Sequence, residues 1–184
     1  TLFRSGIVGD TPDLRPGDLE RARDLMVHRG PDQGGLWESD DARLAFRRLA
    51  ILDLSEAGHQ PMCSVDGGVV LAFNGEIYNY LELREELVET YDAVFATEGD
   101  GEVIVAAFHY WGPDALPRLR GMFAFAIWDA VERELFVARD PFGIKPLFLA
   151  TTAAGTAFAS EKKALLTLAG ELGLGLDLEP AALQ

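Results

Sequence analysis

Cysteine, histidine and lysine are scarce in this chain of 184 residues, which has one cysteine and three histidines. A single thiol, Cys63, excludes an internal disulfide framework and fits a reducing cytoplasm. His28, His59 and His109 are scattered and lack the cysteine or carboxylate spacing of a metal site, so no metal ligand is expected. Lysine occurs only as Lys145, Lys162 and Lys163; the remaining basic residues are arginine, a compositional bias more than a functional signal. Positive charge is in deficit: the formal net charge is −14. A surface this acidic repels phosphate, so nucleic acid and anionic membranes are not expected as partners. Long apolar runs are also missing, and nothing approaches the roughly 20 residues of a transmembrane helix. The first ten residues lack the basic start and apolar block of a secretory signal. No repeat or low-complexity tract occurs.

What is present is enough for one domain with a substantial core, since 48% of the residues are apolar. Leu19 to Val27 has helical periodicity with Leu19, Ala22, Leu25 and Met26 on one face. Asp18 is its expected N-cap, and Gly30-Pro31 closes it. A second helix is expected after Asn79, with Glu82 completing a capping box and Leu83 and Leu87 buried. A third is expected over Gly101 to Trp111, capped by Asp100. Strands are expected at Arg43 to Leu49, Met122 to Trp128, Leu135 to Ala138, Leu147 to Ala150 and Ala157 to Ser160. Val69 to Phe73 reads as a short strand ending at the turn dipeptide Asn74-Gly75. Met122 to Trp128 is almost wholly apolar, as befits a strand buried on both faces. Periodicity takes the fold no further than sheets covered by helices.

Several segments carry polar chemistry: Ser5-Gly6-Ile7-Val8-Gly9, His28-Arg29-Gly30-Pro31-Asp32, Arg48-Leu49-Ala50-Ile51-Leu52-Asp53 and Asn74-Gly75-Glu76-Ile77-Tyr78-Asn79. Further on come Thr97-Glu98-Gly99-Asp100-Gly101-Glu102, Gly121-Met122-Phe123-Ala124-Phe125, the run from Arg139 to Leu147, and Ser160-Glu161-Lys162-Lys163. Read singly, each has an ordinary explanation. Asn-Gly is a plain hairpin turn, Asp100 a helix cap, Arg48 a surface arginine beside Arg47, and Cys63 a spare thiol in a loop. Ser160 to Lys163 fits S-x-x-K, but no S-D-N or K-T-G accompanies it.

In this order and spacing the segments resemble the glutamine-hydrolysing domain at the N-terminus of asparagine synthetase, a class II glutamine amidotransferase. The resemblance covers nearly the whole chain from Gly6 onward. It implies an α+β fold of the N-terminal-nucleophile hydrolase type: a four-layer αββα sandwich of two mainly antiparallel sheets between helix layers. It also implies a cysteine nucleophile whose thiol attacks the side-chain amide of glutamine, with its own α-amine as base. A thiol near pKa ~8.5 and an amine near ~8 exchange a proton at little cost. The products are glutamate and ammonia.

The resemblance assigns Asn74 and Gly75 to the oxyanion hole and Arg48, with the Ile51 and Leu52 backbone, to the α-carboxylate of L-glutamine. A guanidinium fork matches a carboxylate bidentately. Glu76 and Asp100 would take the α-ammonium. Ser5 stands where the family has its cysteine, behind Thr1 to Arg4. A hydroxyl is a poor nucleophile, and a nitrogen in the Arg4–Ser5 peptide bond is no base, so the chain as written is expected to be inactive.

Residues 1–5 are expected to be a non-native or truncated leader, 6–170 the glutaminase domain, and 171–184 a linker toward a synthetase domain. A genuine pseudoenzyme is the rival explanation for Ser5. No cofactor is expected in this domain; with neither S-G-G-x-D-S nor G-x-x-x-x-G-K present, ATP and magnesium are expected only in the following one. The resemblance leaves room for a homodimer. A sister amidotransferase, forming glucosamine 6-phosphate or phosphoribosylamine, and a non-catalytic glutamine-binding module are the alternative readings.

Overall fold

A computed structural model describes residues 3–8, 15, 17–48, 58–153 and 155–168, with 3–8 described as backbone. Nine strands form two antiparallel sheets among these residues. The five-stranded sheet holds β1 (Phe3–Val8), β2 (Gln33–Glu38), β3 (Ala42–Arg48), β8 (Phe148–Thr152) and β9 (Gly155–Ala159), in the order β2-β3-β1-β9-β8. The four-stranded sheet holds β4 (Met62–Cys63), β5 (Val69–Ile77), β6 (Gly121–Asp129) and β7 (Glu134–Arg139), in chain order. The helices are α1 (Asp18–Asp24), α2 (Tyr80–Tyr91), α3 (Asp100–Trp111) and α4 (Lys162–Thr167), with a 3-10 segment at Gly112–Arg118.

Strand alternation divides the core into three apolar layers. Odd-numbered β5 residues, Val69, Leu71 and Phe73, pack with Leu83, Leu87, Val103 and Ile104 of α2 and α3. Even-numbered ones, Val70 and Ala72, meet Ala42, Leu44 and Phe158 of the other sheet. On the far side of that sheet, Ala45, Ala157 and Ala159 carry Leu19, Ala22, Ala164 and Leu165 of α1 and α4. The order helix, sheet, sheet, helix is the α+β sandwich that the resemblance implies. Two outer elements are tied by charge: Glu161, ahead of α4, binds Arg29 and, at 2.9 Å, Lys163. No described helix is long and apolar enough to cross a membrane.

The β6 segment is central, between β5 and β7, as its apolar sequence requires. Three local expectations fail, and for Asn79 and Asp100 the side chain makes a tertiary contact instead of a local one. Asn74-Gly75 is no turn; β5 runs through it to Ile77, pairing Asn74 with Ala124 and Gly75 with Phe123. A Cβ at Gly75 would run into the Met122 carbonyl oxygen, so glycine is needed for strand contact rather than reversal. The capping box does not form, because the Asn79 amide spans to the 3-10 segment, giving to Arg118 O at 3.0 Å and accepting from Arg120 N–H at 2.9 Å. Asp18 and Asp100 are the first helical residues rather than caps, those places falling to Gly17 and Gly99. Cys63, read as a loop residue, is in β4, where burial pushes its thiol up. The strands β1 and β2 and the short α4 have no counterpart in the periodicity.

Candidate functional site

Across the interior, β1 and β3 face β5. Along β3 the positions facing the other sheet run Ala42, Leu44, Phe46 and then Arg48. Along β5 they run Val70, Ala72, Asn74 and Glu76. On both strands an apolar stretch gives way, in the chain direction, to groups that bind charge or hydrogen bonds.

The Arg47–Arg48 doublet is divided by the same alternation. Arg47 points to the helix side, where Nε donates to Gly30 O at 2.8 Å, Nη2 to Pro31 O at 3.2 Å, and Nη1 lies 3.7 Å from Asp24. Arg48 is buried, and its Nη1 donates to Gln33 Oε1 at 3.1 Å, its register partner on β2. Ser5 lies in β1 with its backbone opposite Ala45 and Ala159. Ile51 and Leu52 lie outside the described residues.

Asn74 is the anomaly of the core. It is 1% exposed, yet among the described residues neither Oδ1 nor Nδ2 has a hydrogen-bond partner. Leaving such groups unpaired costs about 1–3 kcal/mol each, which sets Asn74 apart from the other buried polar groups of the core.

Beside it, the outer edge of β5 is capped almost residue by residue. Odd-numbered N–H groups point to the β4 side. The Val69 N–H donates to Ser64 Oγ at 2.9 Å, and Leu71 pairs with Met62. The Phe73 N–H donates to Gln60 Oε1 at 2.9 Å, and the Ile77 N–H to Asp100 Oδ2 at 2.9 Å. The Gly75 N–H lies on this edge between the last two. Asp100 thus reaches the strand from the helix layer. Glu102 serves the loop before α3, accepting from Ala96 N–H at 2.8 Å and Thr97 N–H at 2.7 Å. Gln60 and Gln33 went unmarked in the sequence, where an isolated glutamine carries no pattern.

The comparisons agree with this architecture. A family model described as a glutamine amidotransferase domain matches residues 4–184. A Mycobacterium tuberculosis protein whose name marks it as a provisional glutamine-hydrolysing asparagine synthetase is 55% identical over 175 residues, covering 90% of this chain and 27% of its own. Asparagine synthetase [glutamine-hydrolyzing] 1 of Bacillus subtilis is 42% identical over 166 residues, covering 90% of this chain and 25% of its own. The chain therefore spans about a quarter of the length of these curated relatives. The solved structure of the B. subtilis glutamine phosphoribosylpyrophosphate amidotransferase, complexed with ADP and GMP, superposes with a TM-score of 0.74. It is 23% identical, and the match covers 90% of this chain and 43% of that one, which speaks to the fold. With nearly its whole length matched by the family model, the chain belongs to the glutamine amidotransferase domain family.

Proposed function

We propose that this domain binds L-glutamine and is built to release ammonia from its side-chain amide for a following synthetase domain, which would use ATP and magnesium to amidate aspartate. The observation that carries the reading is the Asn74 amide in the second half of β5, buried and without a partner among the described residues. In the proposed reaction Asn74 Nδ2 and the Gly75 N–H receive the oxygen that becomes negative in the tetrahedral intermediate. Donors set in advance stabilise that charge without reorganising. Arg48 holds the α-carboxylate, with the Ile51 and Leu52 backbone beside it. Glu76 and Asp100 take the α-ammonium, Asp100 being already anchored through Oδ2 on Ile77.

Ser5 occupies the nucleophile's position in this reading. It favours a second reading for the chain as written: glutamine binding without turnover. Neither a thiol nor a free amine is available at Ser5 while Arg4 is joined to it.

Asn74→Leu tests the site directly. Leucine has the same branching at Cγ and needs no hydrogen bonds, so the folded state should gain about 1–3 kcal/mol. Calorimetric binding of L-glutamine should weaken at least tenfold, or by about 1.4 kcal/mol. A variant that is more stable and binds glutamine as before would remove Asn74 from the site.

A further inference from the structure

We propose that Gln60 is a positioning residue that keeps the Gly75 N–H open as an oxyanion donor, an inference that rests on the reading of Asn74 and Gly75 above. β4 is only two residues long, so its ladder with β5 ends at the Met62–Leu71 pair. Beyond that pair the β5 edge offers the N–H groups of Phe73, Gly75 and Ile77 in a row. An uncovered edge of this kind recruits whatever backbone lies near. Here it is closed by two side chains instead: Gln60 Oε1 takes Phe73 and Asp100 Oδ2 takes Ile77. A side chain satisfies one donor and stops, whereas a continuing strand would take the next donor too.

Gln60 is held for this task from three sides. Its backbone carbonyl abuts Gly35 of β2, where any Cβ would run into it. Its Nε2 lies 3.7 Å from where a Cβ on Gly101 of α3 would stand. Its side chain is buried. The residue thus joins the edge of one sheet to the edge of the other and to α3. A shift of Gln60 would move Phe73, the residue immediately before Asn74. Gln60 touches no substrate in this scheme; it acts through the strand.

The test uses the chain as it stands, followed by amide hydrogen exchange and proton–nitrogen correlation spectra. In the unmodified, ligand-free chain the Gly75 amide should exchange at least about tenfold faster than those of Phe73 and Ile77. A protected Gly75 would overturn the proposal without any variant. Gln60→Met has similar length but no acceptor. It should speed exchange at Phe73, shift the Gly75 and Asn74 side-chain signals, and lower L-glutamine affinity about tenfold, while Ile77 stays protected. Gln60→Glu restores an acceptor oxygen and should recover both the Phe73 protection and the Gly75 signal. If Gln60→Met frees Phe73 but leaves the Gly75 signal and glutamine affinity unchanged, Gln60 is a stability device only, and the proposal fails. If the unmodified chain does not bind L-glutamine, the functional reading fails; the ligand-free exchange pattern still decides whether Gln60 sets the edge.

Discussion

Two buried polar side chains of the four-stranded sheet could hardly be treated more differently. Asp140, just past β7, is 3% exposed and accepts four backbone N–H groups: Phe123 at 3.3 Å, Phe142 at 3.1 Å, Ile144 at 3.0 Å and Lys145 at 3.1 Å. Asn74, on β5 of the same sheet, is 1% exposed and has no partner for its side chain among the described residues. Asp140 is a fully satisfied anchor that organises the loop after β7. Asn74 is, among the described residues, an unsatisfied donor and acceptor. Burial of a polar group is therefore no mark of function by itself; burial without partners is the more telling condition. Breaking each residue in turn should produce opposite signatures.

The largest effect is expected in catalysis. Four forms of the chain should be assayed for glutamate release with excess glutamine: as written, with Ser5→Cys, without residues 1–4, and with both changes. Only the last unites thiol and free amine, so glutamate should appear there alone and the effects should be strongly non-additive. Adding Asn74→Ala to that active form should lower kcat about 10²–10³-fold. Adding Asp140→Ala should change kcat little once the folded fraction is accounted for. Activity in the unmodified chain, or silence in a folded doubly changed form, would show that Ser5 is not the nucleophile's position.

Asp140 should dominate stability instead. Asp140→Ala strands several backbone donors, and denaturant unfolding should show a loss of about 3 kcal/mol. The group also carries a pH signature. Burial alone would raise its carboxyl pKa, but the N–H groups of Ile144, Lys145, Phe123 and Phe142 outweigh burial and hold it below the ordinary 3.8. A depressed carboxyl stabilises the fold above its unfolded pKa, and the contribution disappears as pH falls through the folded one. Acid unfolding of Asp140→Asn should accordingly be less steep below about pH 4 than that of the unmodified chain. Asn74→Leu should shift stability equally at every pH, because no proton is involved. An unchanged acid limb in Asp140→Asn would discard the anchor interpretation.

The contrast also explains which features the sequence disclosed. Met122 to Trp128 announced a central strand because burial on both faces leaves no polar position to blur the pattern. The helices around Leu83 and Leu87 and around Val103 and Ile104 were legible from their period. Asn74-Gly75 reads locally as a turn because the dipeptide favours reversal, and the strand context that overrides it comes from β6, some 50 residues later. Asn79 looked like a local cap and proved to be a bridge to the 3-10 segment. Arg48, Asn74, Gly75, Glu76 and Asp100 were singled out through resemblance to a family. Gln60 carries no pattern of its own, since its role depends on where β4 stops; Pro61, with no N–H to extend the ladder, marks that point without singling out Gln60.

The smallest effect offers the finest discrimination, because it compares adjacent residues of one type. Arg47 and Arg48 follow each other on β3 and so face opposite sides of the sheet. Arg47 is engaged with the Gly30 and Pro31 carbonyls and with Asp24 on the helix side. Arg48 is turned to the inner layer, near Gln33. Removing Arg48 should weaken L-glutamine binding by roughly 1.5–3 kcal/mol, the range for a hydrogen bond to a charged group. Removing Arg47 should cost stability through the stranded carbonyls and leave glutamine affinity within about 0.5 kcal/mol, as for a site without contact to the ligand. Calorimetry and denaturant unfolding on Arg47→Ala and Arg48→Ala separate the two. If Arg47→Ala loses the affinity and Arg48→Ala keeps it, the carboxylate ligand is one residue earlier, and the glutamine lies on the helix side of β3.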